Sequence, residues 1–352
     1  MKNSNIKKNL TAIDLFGGCG GLSLGLSKAG FKVLAAVEIL THARETYSLN
    51  HKDALLFSDI KKISGSDIME QAKLKPGDLD LLAGCPPCQG FSSLRRKNRL
   101  KPADDDRNEL IFDFLRLIQE LLPKTILMEN VPALMKDQRM KKVRLQLKKL
   151  GYNFSIGVLN AADFGVPQRR KRMILIASRL GKINLPSSKI NKKKTVRNAI
   201  GGLSHPEKSK NPLHKILSKH SDKIMKRICQ IPIDGGSRNA LGAKNQLNCH
   251  KRLVSSIGGG FNDVYGRLWW DKEASTITRF CTNPSKGRFL HPTQNRALTV
   301  YEAALLQSFP KSYKFPKDLG ILKLSSMIGE ALPPLFAKAQ AIHIRKHLSD
   351  AT

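Results

Sequence analysis

TAIDLFGGCGGLSLGLSKAGFKVLAAVE, residues Thr11–Glu38, reads as strand, glycine turn, helix and strand. Thr11–Phe16 is a short apolar run that stops in the cluster Gly17, Gly18, Gly20 and Gly21. Leu22–Ala29 then has helical character, and Lys32–Glu38 is a second strand. Glycines between a strand and a helix let backbone approach a ligand closely. A dinucleotide fingerprint needs a further glycine where Ser23 stands, so a pyrophosphate clamp is not indicated. Glu38 ends the second strand, 20 residues after Gly18, where a carboxylate can accept both hydroxyls of a ribose. Asp59 follows a third short run and can accept from an adenine amino group. The ordered set fits a nucleoside without phosphates. Tight helix packing and helix capping account for any one of these residues alone.

Outward from this unit, strands and helices keep alternating. Leu79–Ala83, Thr125–Glu129, Asn153–Asn160 and Arg172–Ala177 are strand candidates, and Asn108–Leu122 is an amphipathic helix. The pattern predicts an α/β fold with a mostly parallel sheet covered on both faces. Thr299-Val-Tyr-Glu302 is a capping-box pattern that opens a helix to Gln307, and Pro333-Pro334 starts a last helix ending near Leu348. Near Leu180 the character changes. Residues 181–268 hold 18 Lys+Arg against 4 Asp+Glu, a net +14 in 88 residues with weak periodicity. The expected division is residues 1–180 plus 325–352 as one domain and 181–324 as a second, basic one. Trp269 and Trp270, the only tryptophans, are expected in its core.

The whole chain has 352 residues, enough for two or three domains, and a net charge of +33. Such an excess points to a polyanion, most often nucleic acid, although a lysine-rich proteome also makes proteins basic. No apolar run reaches the roughly 18–20 residues of a membrane helix. The start leads directly into the first strand with no long apolar signal core, so a cytoplasmic location is expected. Six cysteines at 19, 85, 88, 229, 249 and 281 are too few for a disulfide framework.

Two further stretches carry chemistry. GCPPCQGFSS, Gly84–Ser93, presents Cys88 behind the stiff pair Pro86-Pro87, and Glu129 closes a strand-like run 41 residues later. Together they read as a nucleophile and an acid. A redox pair or half a zinc site from Cys85-x-x-Cys88 is the weaker reading, because no second CxxC exists. No metal is expected.

These motifs together resemble the DNA (cytosine-5)-methyltransferases over nearly the whole chain. Asp14–Phe31 is similar to that family's cofactor loop, and GCPPCQGFSS to its nucleophile loop. MENVPAL (Met128–Leu134) and QRRKR (Gln168–Arg172) are similar to its next two motifs. Arg296–Pro310 and Ile328–Lys338 are similar to its closing motifs. The resemblance implies a Rossmann-like S-adenosylmethionine-dependent methyltransferase fold with a smaller target-recognition domain. It implies Cys88 as nucleophile, Glu129 as the acid beside it, and Arg170 and Arg172 steadying the pyrimidine and the active-site loop. Phe16, Gly18, Glu38, Asp59, Pro87 and Leu110 would line the pocket for S-adenosylmethionine, which leaves as S-adenosylhomocysteine. The partner implied is double-stranded DNA. A cognate restriction endonuclease at the same site belongs to the restriction–modification type, and a monomer is expected. A tRNA methyltransferase of the same superfamily and a catalytically inactive DNA-binding protein are the alternatives.

Arg95, Arg96, Lys97, Arg99 and Lys101 place five cations in seven residues after the nucleophile, able to close on phosphates as a base leaves the stack. Arg238, Lys244, Lys251 and Arg252 are the candidate DNA contacts of the basic domain. One position departs from the family pattern. Glu330 stands where Asn is usual, and it is expected to alter cofactor affinity modestly.

Overall fold

Four near-continuous apolar strands build the centre of the sheet, because a strand buried on both faces has no solvent side to make polar. The computed structural model describes residues 10–87, 106–188, 190–242 and 263–351. β1 (Leu10–Leu15), β2 (Phe31–Val37), β3 (Leu55–Phe57), β4 (Leu81–Gly84), β5 (Thr125–Asn130), β6 (Asn153–Asn160) and β7 (Lys171–Ser178) form one sheet in the order β3-β2-β1-β4-β5-β7-β6. β1 to β5 pair in parallel, and β7 runs antiparallel between β5 and β6. The sheet is therefore the mostly parallel one that the alternating pattern predicts.

Helices α1 (Gly21–Lys28), α2 (Thr41–Asn50), α3 (Gly65–Ala72), α4 (Leu110–Leu121) and α5 (Gln138–Lys149) accompany it. Ile13, Leu15, Val37, Leu82, Ile126 and Met128 project from one face into a core shared with α3, α4 and α5. On the other face Asp14 of β1 meets Ser23 of α1, which in turn meets Tyr47 of α2. α1 also lies against the last helix, Pro334–Asp350. A Cβ on Gly25 would stand 2.4 Å from that of Ala337, so only glycine permits this approach. α5 escapes a sequence reading because its apolar positions are only Met140, Val143 and Leu147 with an exposed Leu145, set among cations.

The chain divides into two compact units. The first is Met1–Phe164, Lys171–Lys189 and Leu332–Thr352, and it holds the sheet. The second is Gly165–Arg170 and Ile190–Ala331. Its described residues contain short helices and isolated bridges and no extended strand. A small apolar cluster of Ile228, Ile231, Leu241, Tyr265 and Leu290 lies inside it. The helix Val300–Leu306 begins with the expected capping box: Thr299 N donates to Glu302 Oε2 at 2.8 Å, and Glu302 N donates to Thr299 Oγ1 at 3.1 Å. No helix among the described residues is long and apolar enough to cross a membrane.

Candidate active site

Parallel strands deliver their carboxyl ends to one edge of the sheet, and the order reverses between β1 and β4. The glycine turn leaves β1 there. Phe16 (φ 68°), Gly18 (φ 54°) and Gly20 (φ 87°) are all left-handed, which explains the density of glycine. Gly18 N donates to Glu38 Oε2 and Leu40 N to Glu38 Oε1, each at 2.8 Å. The carboxylate at the end of β2 is thus oriented by two amides. Asp59 follows β3, half-buried, with Lys61 N donating to its carboxylate at 3.0 Å. Phe16 and Leu110 both pack, partly exposed, against the main core. Ile39 is 64% exposed and Leu40 46%. They give an apolar rim beside Glu38 that sequence reasoning missed; the signal was two apolar residues directly after a strand-end carboxylate.

β4 ends at Gly84, where a Cβ would stand 2.5 Å from the Leu15 carbonyl. The chain continues through Cys85, Pro86 and half-buried Pro87 toward Cys88, which lies outside the described residues, as do Arg95 and Arg96. Asn130 at the end of β5 holds the base of this segment, its Nδ2 donating to the Pro86 carbonyl at 2.8 Å. No role for Asn130 was legible from sequence, because the contact spans 44 residues. Glu129, the preceding residue, is 8% exposed, and Arg172 Nε lies 2.8 Å from its Oε1. Glu129 pairs with Ile174 across the antiparallel ladder, so Arg172, two residues along on the same face, is its diagonal neighbour. The contact is an ion pair without a well-aligned hydrogen bond, and Oε1 has no aligned donor among the described residues.

Residues 10–346 match the family described as C-5 cytosine-specific DNA methylase. The chain belongs to that family. It is a DNA (cytosine-5-)-methyltransferase, and the family's reaction implies S-adenosylmethionine as methyl donor. It is 35% identical over 348 residues to the Type II methylase M.HgiDII of Herpetosiphon aurantiacus, covering 96% of this chain and 95% of that one. It is 35% identical over 347 residues to the Type II methyltransferase M1.HphI of Haemophilus parahaemolyticus, covering 96% and 87%. Among solved structures, a prophage-encoded protein of E. coli described as a DNA modification methyltransferase superposes with a TM-score of 0.67 at 26% identity, covering 97% of this chain and 99% of that one.

In this methylase Gln168 and Arg170 belong to the second unit. Arg170 is 3% exposed and donates through Nη1 to the carbonyls of Ile277 at 2.9 Å and Gly329 at 3.2 Å. Gln168 accepts from Ile277 N at 2.9 Å and donates to Gln307 Oε1 at 2.8 Å, and Gln307 donates to the Ile328 carbonyl at 2.6 Å. The motif therefore clasps three backbone segments of its own unit. Gly329 fits because a Cβ there would stand 2.2 Å from Thr278 backbone.

Arg238, expected on the DNA face of the methylase, is instead buried at 5% exposure, inside the turn Arg238–Ala240. A guanidinium so enclosed is not on the surface that a phosphate meets. Lys244, Lys251 and Arg252 lie outside the described residues. Trp269 and Trp270 are half-buried rather than core. Arg288 stands 4.1 Å and Lys272 4.7 Å from the Trp269 ring, and Arg197 5.3 Å from that of Trp270. Glu330 is exposed and has its own cation, with Arg279 Nε 3.1 Å from Oε1. Cys19, Cys85, Cys229 and Cys281 form no disulfide.

Proposed function

We propose that this methylase moves a methyl group from S-adenosylmethionine to C5 of a cytosine flipped out of a specific double-stranded DNA site, through a covalent bond between Cys88 and C6. The observation that carries the reading is the buried Glu129 carboxylate, backed by Arg172 at 2.8 Å and set beside the segment that leads to Cys88.

Cytosine C5 is a weak nucleophile. Addition of the Cys88 thiolate to C6 breaks the ring's conjugation and puts an electron pair on C5, which can then take the methyl group. A thiol suits the step because it is partly ionised near neutral pH and is intrinsically reactive. Glu129, meeting the N3 and N4 edge, offsets the negative charge that develops on the ring, and it selects cytosine over thymine, which carries a carbonyl at C4. Arg172 holds that carboxylate in place. Loss of the C5 proton to a base then restores the double bond and expels the cysteine thiolate. Target atoms inside a stacked duplex are out of reach, so the base must leave the helix.

The glycine loop and Glu38 suit the cofactor. Glu38 would meet the ribose hydroxyls and Asp59 the adenine amino group, and Phe16, Gly18, Pro87, Leu110 and Ile39 would line the rest. When bound, the cofactor supplies an electrophilic methyl on a sulfonium. The basic second unit would hold and read the DNA, with Arg95 and Arg96 closing from the nucleophile loop. The Type II relatives support a place in a restriction–modification system, with a cognate endonuclease cutting the same site in the cytoplasm.

Expression in a methylation-free host, followed by bisulfite sequencing of its DNA, tests the reading and returns the target sequence. Cys88→Ala should remove all C5 methylation while DNA binding persists. Persistent methylation by that variant would refute the nucleophile assignment, and methylated tRNA with unmethylated DNA would overturn the substrate.

A further inference from the structure

The glycine turn is not self-supporting, since three left-handed residues in five leave little regular hydrogen bonding. Its internal bond is Gly20 N to the Gly17 carbonyl at 2.9 Å, and Gly17 N reaches the Val37 carbonyl at 2.9 Å. Behind it stands a buried chain of hydroxyls that the proposed chemistry does not use. Ser23 Oγ lies 2.6 Å from Asp14 Oδ2 and 2.6 Å from Tyr47 Oη, and Ser23 N also donates to Asp14 Oδ2 at 3.1 Å. Asp14, Ser23 and Tyr47 are all fully buried. The Tyr47 ring also abuts the turn, and a Cβ on Gly17 would stand 3.1 Å from it. His51 packs at a tilt against Tyr47 with centroids 4.5 Å apart, and its Nε2 lies 3.2 Å from the Gly20 carbonyl.

We propose that Tyr47 and Ser23, anchored on Asp14, are positioning residues for the cofactor, a latch by which α2 sets the shape of the glycine turn. The latch reaches the pocket through one bond. Gly18 N donates to Glu38 Oε2, so a turn that shifts loosens one of the two amide contacts that orient the carboxylate. Burial pushes the Tyr47 phenol pKa up, so the phenol stays a donor and directs its hydrogen to Ser23. Ser23 passes its own to Asp14. All three side chains are fully buried, so a lost member leaves its partner unpaired away from solvent. The inference rests on the reading of this turn as the S-adenosylmethionine cradle.

Calorimetric titration with S-adenosylmethionine and steady-state kinetics on the full chain test it. Tyr47→Phe keeps the ring against Gly17 and removes only the hydroxyl. It should raise the cofactor Kd about fivefold, the order expected for one buried hydrogen bond. The cofactor KM should rise by the same factor, with kcat and the KM for DNA unchanged. Ser23→Ala should weaken binding at least as much, and adding Tyr47→Phe to it should do nothing further, because the phenol acts through Ser23. Tyr47→Phe binding cofactor as the wild type does would overturn the latch. So would a rise in both KM values together with a lowered Tm, which marks a merely structural role. Glu38→Ala separates the two ideas. If it binds cofactor normally, the cradle reading fails and the latch with it. If it loses binding while Tyr47→Phe does not, the latch alone fails.

Discussion

The two units satisfy their backbones by different means. In the first, β4 pairs residue by residue with β1 and β5, and the side chains between the sheet and α4, such as Leu82 and Phe114, are apolar and fully buried. In the second, the largest fully buried side chain is a cation. Arg267 donates to the carbonyls of Ile228, Ile231, His291 and Gln294 and to Asn295 Oδ1. Arg288 donates to the carbonyls of Gly235, Gly236 and Arg267, and Arg170 to two more. A ladder leaves no orphan carbonyls, whereas irregular chain does, and a guanidinium with five donors can collect them. Within residues 181–268 the buried cations are Arg227, Arg238 and Arg267, so the basic composition of that stretch is partly internal structure and not wholly a surface for DNA.

The largest test of this contrast is Arg267→Met. Leaving five acceptors without a donor, three of them buried, should cost roughly 4 kcal/mol or more. Hydrogen exchange should show loss of protection confined to the second unit, and uniform loss across both would break the distinction. Leu82→Ala should cost about 3 kcal/mol by opening a cavity in the sheet core, read as a lower Tm, with first-unit amides exposed first.

The units should also differ in the sign of their pH response. Burial pushes the Asp14 carboxyl up to about 7, against the hydrogen bonds from Ser23. Its folded pKa exceeds its unfolded one, so the folded form binds more protons and its stability contribution falls as pH rises from about 4 to about 7. Burial pulls His291 down to about 4, although Glu302 opposes this. There the unfolded form binds more protons, so stability is full above about 6.5 and is lost as pH falls toward about 4. Asp14→Asn should flatten the first-unit response and His291→Gln the second, in separate thermal scans between pH 4 and 8. The smallest effect is expected at Glu330→Asn. Arg279 already offsets that charge, so cofactor affinity should change by no more than about threefold, with under about 1 kcal/mol in stability.

Strand existence was legible wherever burial on both faces imposed an unbroken apolar run, as in Thr125–Glu129. α5 was not, because Met140, Val143 and Leu147 are too sparse a stripe to stand out. Glu38 and Glu129 were legible as strand-end carboxylates. Their partners were not: the bond from Asn130 to Pro86 joins distant segments, and Arg238 looks identical in sequence whether it faces solvent or the interior.

The sequence by itself determined the alternation of strands and helices, the glycine turn and the order of the family's motifs. Each of these is set by local backbone freedom and by hydrophobic period. Only the tertiary structure decided that β7 runs antiparallel and so brings Arg172 to Glu129. It alone decided that Tyr47 closes the hydroxyl chain behind the glycine turn, and that Arg170, Arg238 and Arg267 point inward. Strand direction and side-chain burial depend on which distant segments pack together, and chain-local preferences do not encode that.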